Sequence, residues 1–225
     1  MANRKREDQL YDIHTHCVNI ATREIYLHGT YAENEESDVE YRMATTFIKN
    51  LHLLERQNND PIIIHMHTVG GDWNDGMAIL DSIRLSPCPT VSINYAHASS
   101  MSSIIPQAAD RRLIMPSADV VIHYGTISLE DQISTAAKST IEWNQRSARR
   151  MIEMYLARCR DGTYFKDNGM TDKQIVKFLD NKMRYYTDWY LTAEQAVDYG
   201  FMDAVMGSRG YETMEKIKNV RKRRW

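Results

Sequence analysis

Four serines crowd a single methionine in "AHASSMSS", residues 96 to 103. The strand-like run from Thr90 to Ala96 ends there and a helix is expected to follow, so Ser100 sits at a strand-to-helix junction. A serine at such a junction is lifted clear of the backbone. The free N–H groups of the first helical turn would face any negative charge built up beside it. That chemistry suits a nucleophile whose attack creates an oxyanion. Serine is also a favoured N-cap, and Ser99, Ser102 and Ser103 would cap as well, so this stretch alone leaves catalysis and capping both open.

A serine hydroxyl needs a base. His123 ends the run "VVIH", which would place its imidazole at the C-terminal edge of a strand, where ligands collect in open parallel sheets. His97 lies only three residues before Ser100, but on the strand's exit, and would have to fold back. A carboxylate that accepts the other imidazole N–H sets the tautomer. Asp188 in "YYTDWYLTAEQA" stands among aromatic residues just before a helix, and an isolated charge there is costly unless paired. An oxyanion needs two donors. Gly71 in "TVGGD" can turn its N–H outward where a residue with Cβ would resist, and the N–H of Met101 is the natural second. Losing one such donor typically costs ~10²–10³ in rate.

Two histidine pairs offer a competing chemistry. "DIHTH" (His14, His16) and "HMH" (His65, His67) would each face one way on a strand and could hold zinc. Metal-dependent amidohydrolases opening on His-x-His use a (β/α)₈ barrel of typically ~250 residues. Neither pair has a convincing downstream set of further ligands, so metal catalysis is not expected.

The elements that must position these groups can be read from periodicity. "REIYLHG" (23–29) reads as a strand, residues 37–57 as a helix with apolar positions Val39, Met43, Phe47, Leu51 and Leu54, and "IIIHMH" (62–67) as a buried strand. A tight glycine turn leads into a helix through Met77, Leu80 and Ile83, and "SPCP" ends it. After the strand at 90–96 and the helix at Ser100 come strands at 112–116 and 120–123 and a long helix over 132–159. "DGTYFKDNG" (161–169) reads as a loop. Thr171 with Gln174, and Thr192 with Gln195, form capping-box patterns; the first helix ends near Met183, and Gly200 suits a C-terminal cap. "FMDAV" (201–205) is a last strand. Alternation of this kind implies an α/β domain with a mostly parallel sheet and crossover helices.

With 225 residues there is material for one such domain with a real core, and 43% hydrophobic against 26% charged residues argues against disorder. A net charge of −2 gives no reason to expect nucleic acid, and the basic end "KIKNVRKRRW" reads as a solvated tail. No apolar run approaches the ~18–20 residues that span a bilayer, so no membrane contact is expected. Cys17, Cys88 and Cys159 are unpatterned, which fits a reducing compartment; together with the absence of a secretory signal in "MANRKREDQL" this implies the cytoplasm.

Taken together, the motifs resemble the ClpP family, the proteolytic subunit of Clp protease, over about Tyr11 to Val205. "TVGGDWNDGMAILDSI" resembles the family's Ser-Pro-Gly-Gly segment and following helix. "AHASSMSS" resembles its Ala-Ser-Met-Gly nucleophile turn and selects Ser100. "MPSADVVIHY" selects His123, and "TDWYLTAEQAVDYGFMDAV" selects Asp188. The resemblance implies a ClpP/crotonase-like fold of repeated β-β-α units with a protruding helix-strand handle. It implies a Ser100–His123–Asp188 triad with an oxyanion hole at Gly71 and Met101, and no cofactor or metal. It also implies a homo-oligomer of heptameric rings, stacked in pairs, an AAA+ unfoldase partner, and peptide or unfolded protein as substrate. On this reading residues 1–22 are an N-terminal, flexible or pore-lining segment, 23–207 the peptidase domain and 208–225 a basic tail. The alternatives are a catalytically silent subunit on the same fold and a crotonase-type acyl-CoA enzyme. The chain departs from the family pattern at Val69, where proline is usual, at Ser102, where glycine is usual, and at Pro106, which should bend the helix or delay its start. It departs also after His123, where "YGTISLED" replaces Gln-Pro and glycines, and in the extra material around "RDGTYFKDNGMTD".

Overall fold

A computed structural model describes residues 2–28, 38–127, 129 and 133–223, with side chains from residue 7 onward. Gly29, Ser37 and Gln132 lie outside the described residues, but the helix expected from residue 37 begins only at Tyr41, with Asp38–Val39 in a short strand before it, and the long helix begins at Ser134. In chain order the elements are α1 (Ala2–His16), β1 (Val18–Asn19), β2 (Glu24–His28), β3 (Asp38–Val39), α2 (Tyr41–Glu55), β4 (Ile62–Thr68), β5 (Gly70–Gly71), α3 (Trp73–Leu85) and β6 (Thr90–Ser99). They continue with α4 (Met101–Ile104), a 3₁₀ turn (Ile105–Ala108), β7 (Arg111–Ile114), β8 (Asp119–Ile122), α5 (Ser134–Cys159), α6 (Thr163–Asp167) and α7 (Asp172–Tyr186). The last are β9 (Trp189–Thr192), α8 (Ala193–Asp198), β10 (Ala204–Val205) and α9 (Met214–Ile217).

The main sheet runs β1-β2-β4-β6-β7-β10, parallel from β2 to β10, as the alternation predicts. Strand β6 is long enough to serve two neighbours. Its first half pairs with β7 through Val91–Asn94, and its second half pairs with β8 through His97–Ser99. Antiparallel β9 then lines up beside β8. This splaying delivers the C-terminal ends of β6 and β8, and the start of β9, to one place. The near-continuous apolar run Ile62–Ile64 is fully buried, as befits a strand covered on both faces. The main core packs α2, α3, α5 and α7 on one face, and a smaller cluster of Ile63, Val91, Ile93, Leu113, Ala204 and Ile217 lies on the other.

Several expectations change. The helix after Ser100 starts on time but tightens into a 3₁₀ turn at Ile105. Pro106 then falls in that turn's first residues, where its missing N–H costs little. The expected loop at 161–169 contains α6, because Phe165 is drawn into an aromatic cluster with Phe178 and Tyr199. The last strand shrinks to two residues, and α7 runs on past Met183 to Tyr186. The basic C-terminal end is not simply solvated. Ile217 is fully buried, and both Lys222 Nζ (3.5 Å) and the Arg223 N–H (2.6 Å) reach the buried Asp110 carboxylate. At the other end, α1 occupies the segment expected to be flexible, and Val18 beyond it enters the core. The segment between His123 and α5 carries no strand among its described residues, so the helical part of the handle is what the structure shows. No helix is long and apolar enough to cross a membrane among the described residues.

Candidate active site

Ser100 stands between β6 and α4 with φ 52° and ψ −125°, a conformation that a side chain seldom adopts. Its N–H donates to the Val121 carbonyl at 3.2 Å, and its side chain makes no capping bond. It is therefore the junction residue but not a cap. The neighbouring serines are spent elsewhere. Ser102 Oγ donates to the Thr68 carbonyl at 2.6 Å, and Ser103 Oγ donates to the Ser100 carbonyl at 2.6 Å; both residues are fully buried.

The glycines meet Ser100 through crowding. Gly70 has φ +116°, and a Cβ there would come within 2.6 Å of Ser100 Cβ and 3.1 Å of Met101 N. Gly71 has φ +141°, and its Cβ would strike the Val39 carbonyl oxygen at 2.3 Å across the β3–β5 pairing. Both positions thus demand glycine. Gly71 carries the sequence-level assignment, whereas the residue lying directly against Ser100 is Gly70, which sequence reasoning passed over.

His123 is the first residue after β8. The antiparallel register Ile122↔Trp189 sets the next pair, His123 and Asp188, side by side. His123 Nδ1 lies 2.9 Å from Asp188 Oδ1. A carboxylate only accepts, so Nδ1 carries a proton, and in the neutral imidazole Nε2 then carries the lone pair. Nε2 is buried and has no hydrogen-bond partner among the described residues. The expected enclosed surroundings of Asp188 are a correction: its side chain is 46% exposed, and it lies between α7 and β9 rather than directly before a helix. Its backbone is held instead by a tight turn. The Asp188 N–H donates to the Tyr186 carbonyl at 2.7 Å across Thr187, whose φ 62° and ψ −63° are those of a strained γ-turn.

A cleft of about 440 Å³ is lined by Ser100, Met101, Gly70, Gly71 and His123. The lining also takes in Trp73 from α3 and Trp143, Asn144, Ser147, Ala148 and Met151 from α5, a mixed apolar and polar surface. Asp188 supports His123 from outside the cleft. His97 faces solvent opposite Asp119 in the β6–β8 register and does not line the cleft. Tyr124, which also lines the cleft, donates to Asp180. Burial and this bond push the Tyr124 phenol well above its usual range, and Arg184 holds Asp180 below its own. Nothing in the local sequence signals the Tyr124–Asp180 pair, whose members are 56 residues apart.

Of the two histidine pairs, His65 and His67 lie two apart on strand β4 as expected, whereas His14 and His16 do not lie on a strand. His14 and His16 lie on α1, where residues two apart point to nearly opposite sides. His65 is taken up by Tyr95 (2.9 Å) and Glu24 (3.3 Å) and stacks on Tyr26, and its hydrogen bond holds Glu24 below the usual carboxylate range.

Residues 22–209 match the model of the Clp protease family. Among curated relatives, the "ATP-dependent Clp protease proteolytic subunit" of Streptococcus uberis is 26% identical over 209 residues, covering 89% of this chain and 92% of the relative. The protein of the same name from Streptococcus agalactiae serotype V is 28% identical over the same coverage. A solved structure of a ClpP1 mutant from Listeria monocytogenes shares the fold with TM-score 0.66 at 20% identity, covering 88% of this chain and 96% of that one. The chain belongs to the Clp protease family.

Proposed function

We propose that this member of the Clp protease family is a serine endopeptidase that cleaves peptide bonds through an acyl-enzyme. The observation that carries the reading is His123. Its Nδ1 is bonded to Asp188, while its Nε2 is buried and unpartnered beside a cleft that also holds Ser100. Ser100 Oγ attacks the scissile carbonyl as Nε2 takes its proton. The carbonyl π electrons move onto oxygen, and the N–H groups of Gly71 and Met101 receive the oxyanion. Collapse of the tetrahedral species expels the amine, which takes the proton back from His123. Water, activated by the same imidazole, then releases the acyl group and restores Ser100. Asp188 keeps Nδ1 protonated and stabilises the imidazolium. His123 Nε2 makes no hydrogen bond to another described residue, and in this reading it meets Ser100 Oγ in the Michaelis complex.

The assembly side of the reading is a homo-oligomer of stacked heptameric rings, fed with unfolded chains by an AAA+ ATPase, in the cytoplasm. The relatives' name, an ATP-dependent proteolytic subunit, supports the partner. The outer half of α5 and the residue before it support the ring, because Ile133 and Ile141 stand exposed where a second copy would cover them.

A fluorophosphonate probe read by intact mass, with native mass on the same sample, tests both parts. One adduct per chain, lost in Ser100→Ala, and a native mass of many chains are expected. Full labelling of Ser100→Ala would remove the assignment, and a stable monomer would remove the ring.

A further inference from the structure

Helix α4 is a single turn of four residues before the chain tightens at Ile105, too short to hold its own geometry. It carries Met101, whose N–H the proposed chemistry uses. The peptide unit joining Ser100 to Met101 is trans, so its C=O and N–H point in opposite directions and whatever anchors one aims the other. The Ser100 carbonyl is anchored twice, by the Ser103 N–H at 2.9 Å and by Ser103 Oγ at 2.6 Å. Ser103 Oγ also lies 2.7 Å from the hydroxyl of Tyr155, which projects from α5 and is 1% exposed. The Ser103 proton is committed to the carbonyl, so Tyr155 must donate. The result is a one-way chain: Tyr155 O–H to Ser103 Oγ, Ser103 O–H to the Ser100 carbonyl. Met101 N belongs to the same peptide plane and lies beside Gly70, where an added Cβ would come within 3.1 Å of it.

We infer that Ser103 and Tyr155 are positioning residues. Their hydroxyl chain locks the Ser100–Met101 peptide plane so that the Met101 N–H faces the developing oxyanion, and it makes that aim depend on the seating of α5. Ser100 supplies the need for a lock, since its backbone sits in a sparsely populated region from which the plane could rotate. Ser103 and Tyr155 are 52 residues apart, and both hydroxyls are buried; a buried pair of this kind has no solvent role. The inference rests on the serine-peptidase reading above.

The test is steady-state peptide hydrolysis by the full-length protein and its Ser103→Ala and Tyr155→Phe variants, with thermal melting and inhibition by a peptide aldehyde, whose adduct mimics the tetrahedral oxyanion. Each variant should lose roughly 10-fold to 100-fold in kcat with KM within about twofold, short of the ~10²–10³ of a donor removed outright. Aldehyde affinity should fall in proportion to kcat. The double variant should lose no more than the worse single one, because one chain is broken either way. Folded variants with kcat within twofold of the parent would overturn the inference. So would a Tyr155→Phe protein that no longer melts cooperatively, which would make the pair structural. A parent that neither labels nor hydrolyses would end the peptidase reading and this one with it, whereas an active parent with unaffected variants ends only this one.

Discussion

The Ser102 hydroxyl donates to the Thr68 carbonyl at 2.6 Å, which ties the turn carrying Ser100 to the end of the strand that leads into Gly70 and Gly71. The two backbone segments assigned to the oxyanion are therefore fastened to each other by a fully buried side chain. A second bond, from Asn94 Nδ2 to the Ser102 carbonyl at 3.1 Å, holds the same residue from β6.

Ser102→Ala should consequently lower peptidase activity by about tenfold and cost about 1–3 kcal/mol of stability, the usual range when a buried hydrogen bond loses one partner. Ser99→Ala, whose hydroxyl is only half-buried, should leave stability within about 0.5 kcal/mol. Denaturant titration and steady-state rates check both; equal effects at the two positions would deny Ser102 its special place.

Gly70→Ala makes a sharper demand. The added methyl would sit 2.6 Å from Ser100 Cβ and 2.8 Å from the Ser99 carbonyl oxygen, at a φ of +116° that alanine resists. Neither neighbour is the end of a flexible side chain. Loss of fluorophosphonate labelling is expected, with a lowered melting temperature. Normal labelling would mean that the strand can move aside and that this contact does not shape the site.

Asp188→Asn isolates the tautomer. Because the carboxylate is 46% exposed, the substitution should leave folding nearly unchanged. An amide can donate to Nδ1 and so stabilise the wrong tautomer, and in a comparable triad this costs about 10⁴ in kcat. A loss of at least about 10² is expected here, where solvent shares the site. A kcat within tenfold of the parent would reassign the third member.

Much of this arrangement was legible because it depends on local chemistry. The strand-to-helix junction at Ser100, the end of a strand at His123 and the glycine turn each follow from residue type and short-range period. What escaped depends on distance along the chain. Tyr155 meets Ser103 only after α5 folds back across the sheet, and the Asp188 side chain stays half in water because β9 is an edge strand with a partner on one side only. Charge misled at the C-terminal end. Its lysines and arginines suggested a solvated tail, but Ile217 supplies an anchor and Asp110, buried under it, supplies the counter-charge. Two apolar residues in a basic run, Ile217 and Val220, outweighed the run.

That anchor predicts a stability effect far from the cleft. Ile217 fills the small cluster on the second face of the sheet with Ile63, Val91, Ile93 and Leu113. Ile217→Ala should cost about 2–5 kcal/mol, the transfer term plus the cavity left behind. Lys222→Ala should cost less, because the buried Asp110 carboxylate keeps its bonds from the Thr90 N–H, the Thr90 hydroxyl and the Arg223 N–H. Urea midpoints for the two variants settle the order, and a larger effect at Lys222 would place the tail's hold in charge rather than packing.

The buried pair Arg112–Asp203 makes the last prediction, in pH. Burial pushes the Asp203 carboxyl upward, but the charge and hydrogen bonds of Arg112, helped by Arg158, outweigh it and hold the group below its usual value. The backbone N–H of Arg112 adds a bond at 2.7 Å, and Arg112 Nε one at 3.2 Å. A carboxyl whose folded-state pKa lies below its unfolded value of about 3.9 contributes stability that is fully present above that value. The contribution is lost as pH falls through the folded value. Folding free energy should therefore drop with acid below about pH 4, and Asp203→Asn should flatten that slope while lowering stability at neutral pH. Arg112→Met, which leaves the partly buried carboxylate with Arg158 at 3.9 Å as its remaining cation, should cost up to about 3 kcal/mol at pH 7, and less in acid, where Asp203 takes up a proton. Urea titrations at pH 3 and pH 7 read both effects. An Arg112→Met penalty that is the same at the two values would show that Asp203 does not depend on Arg112 for its charge.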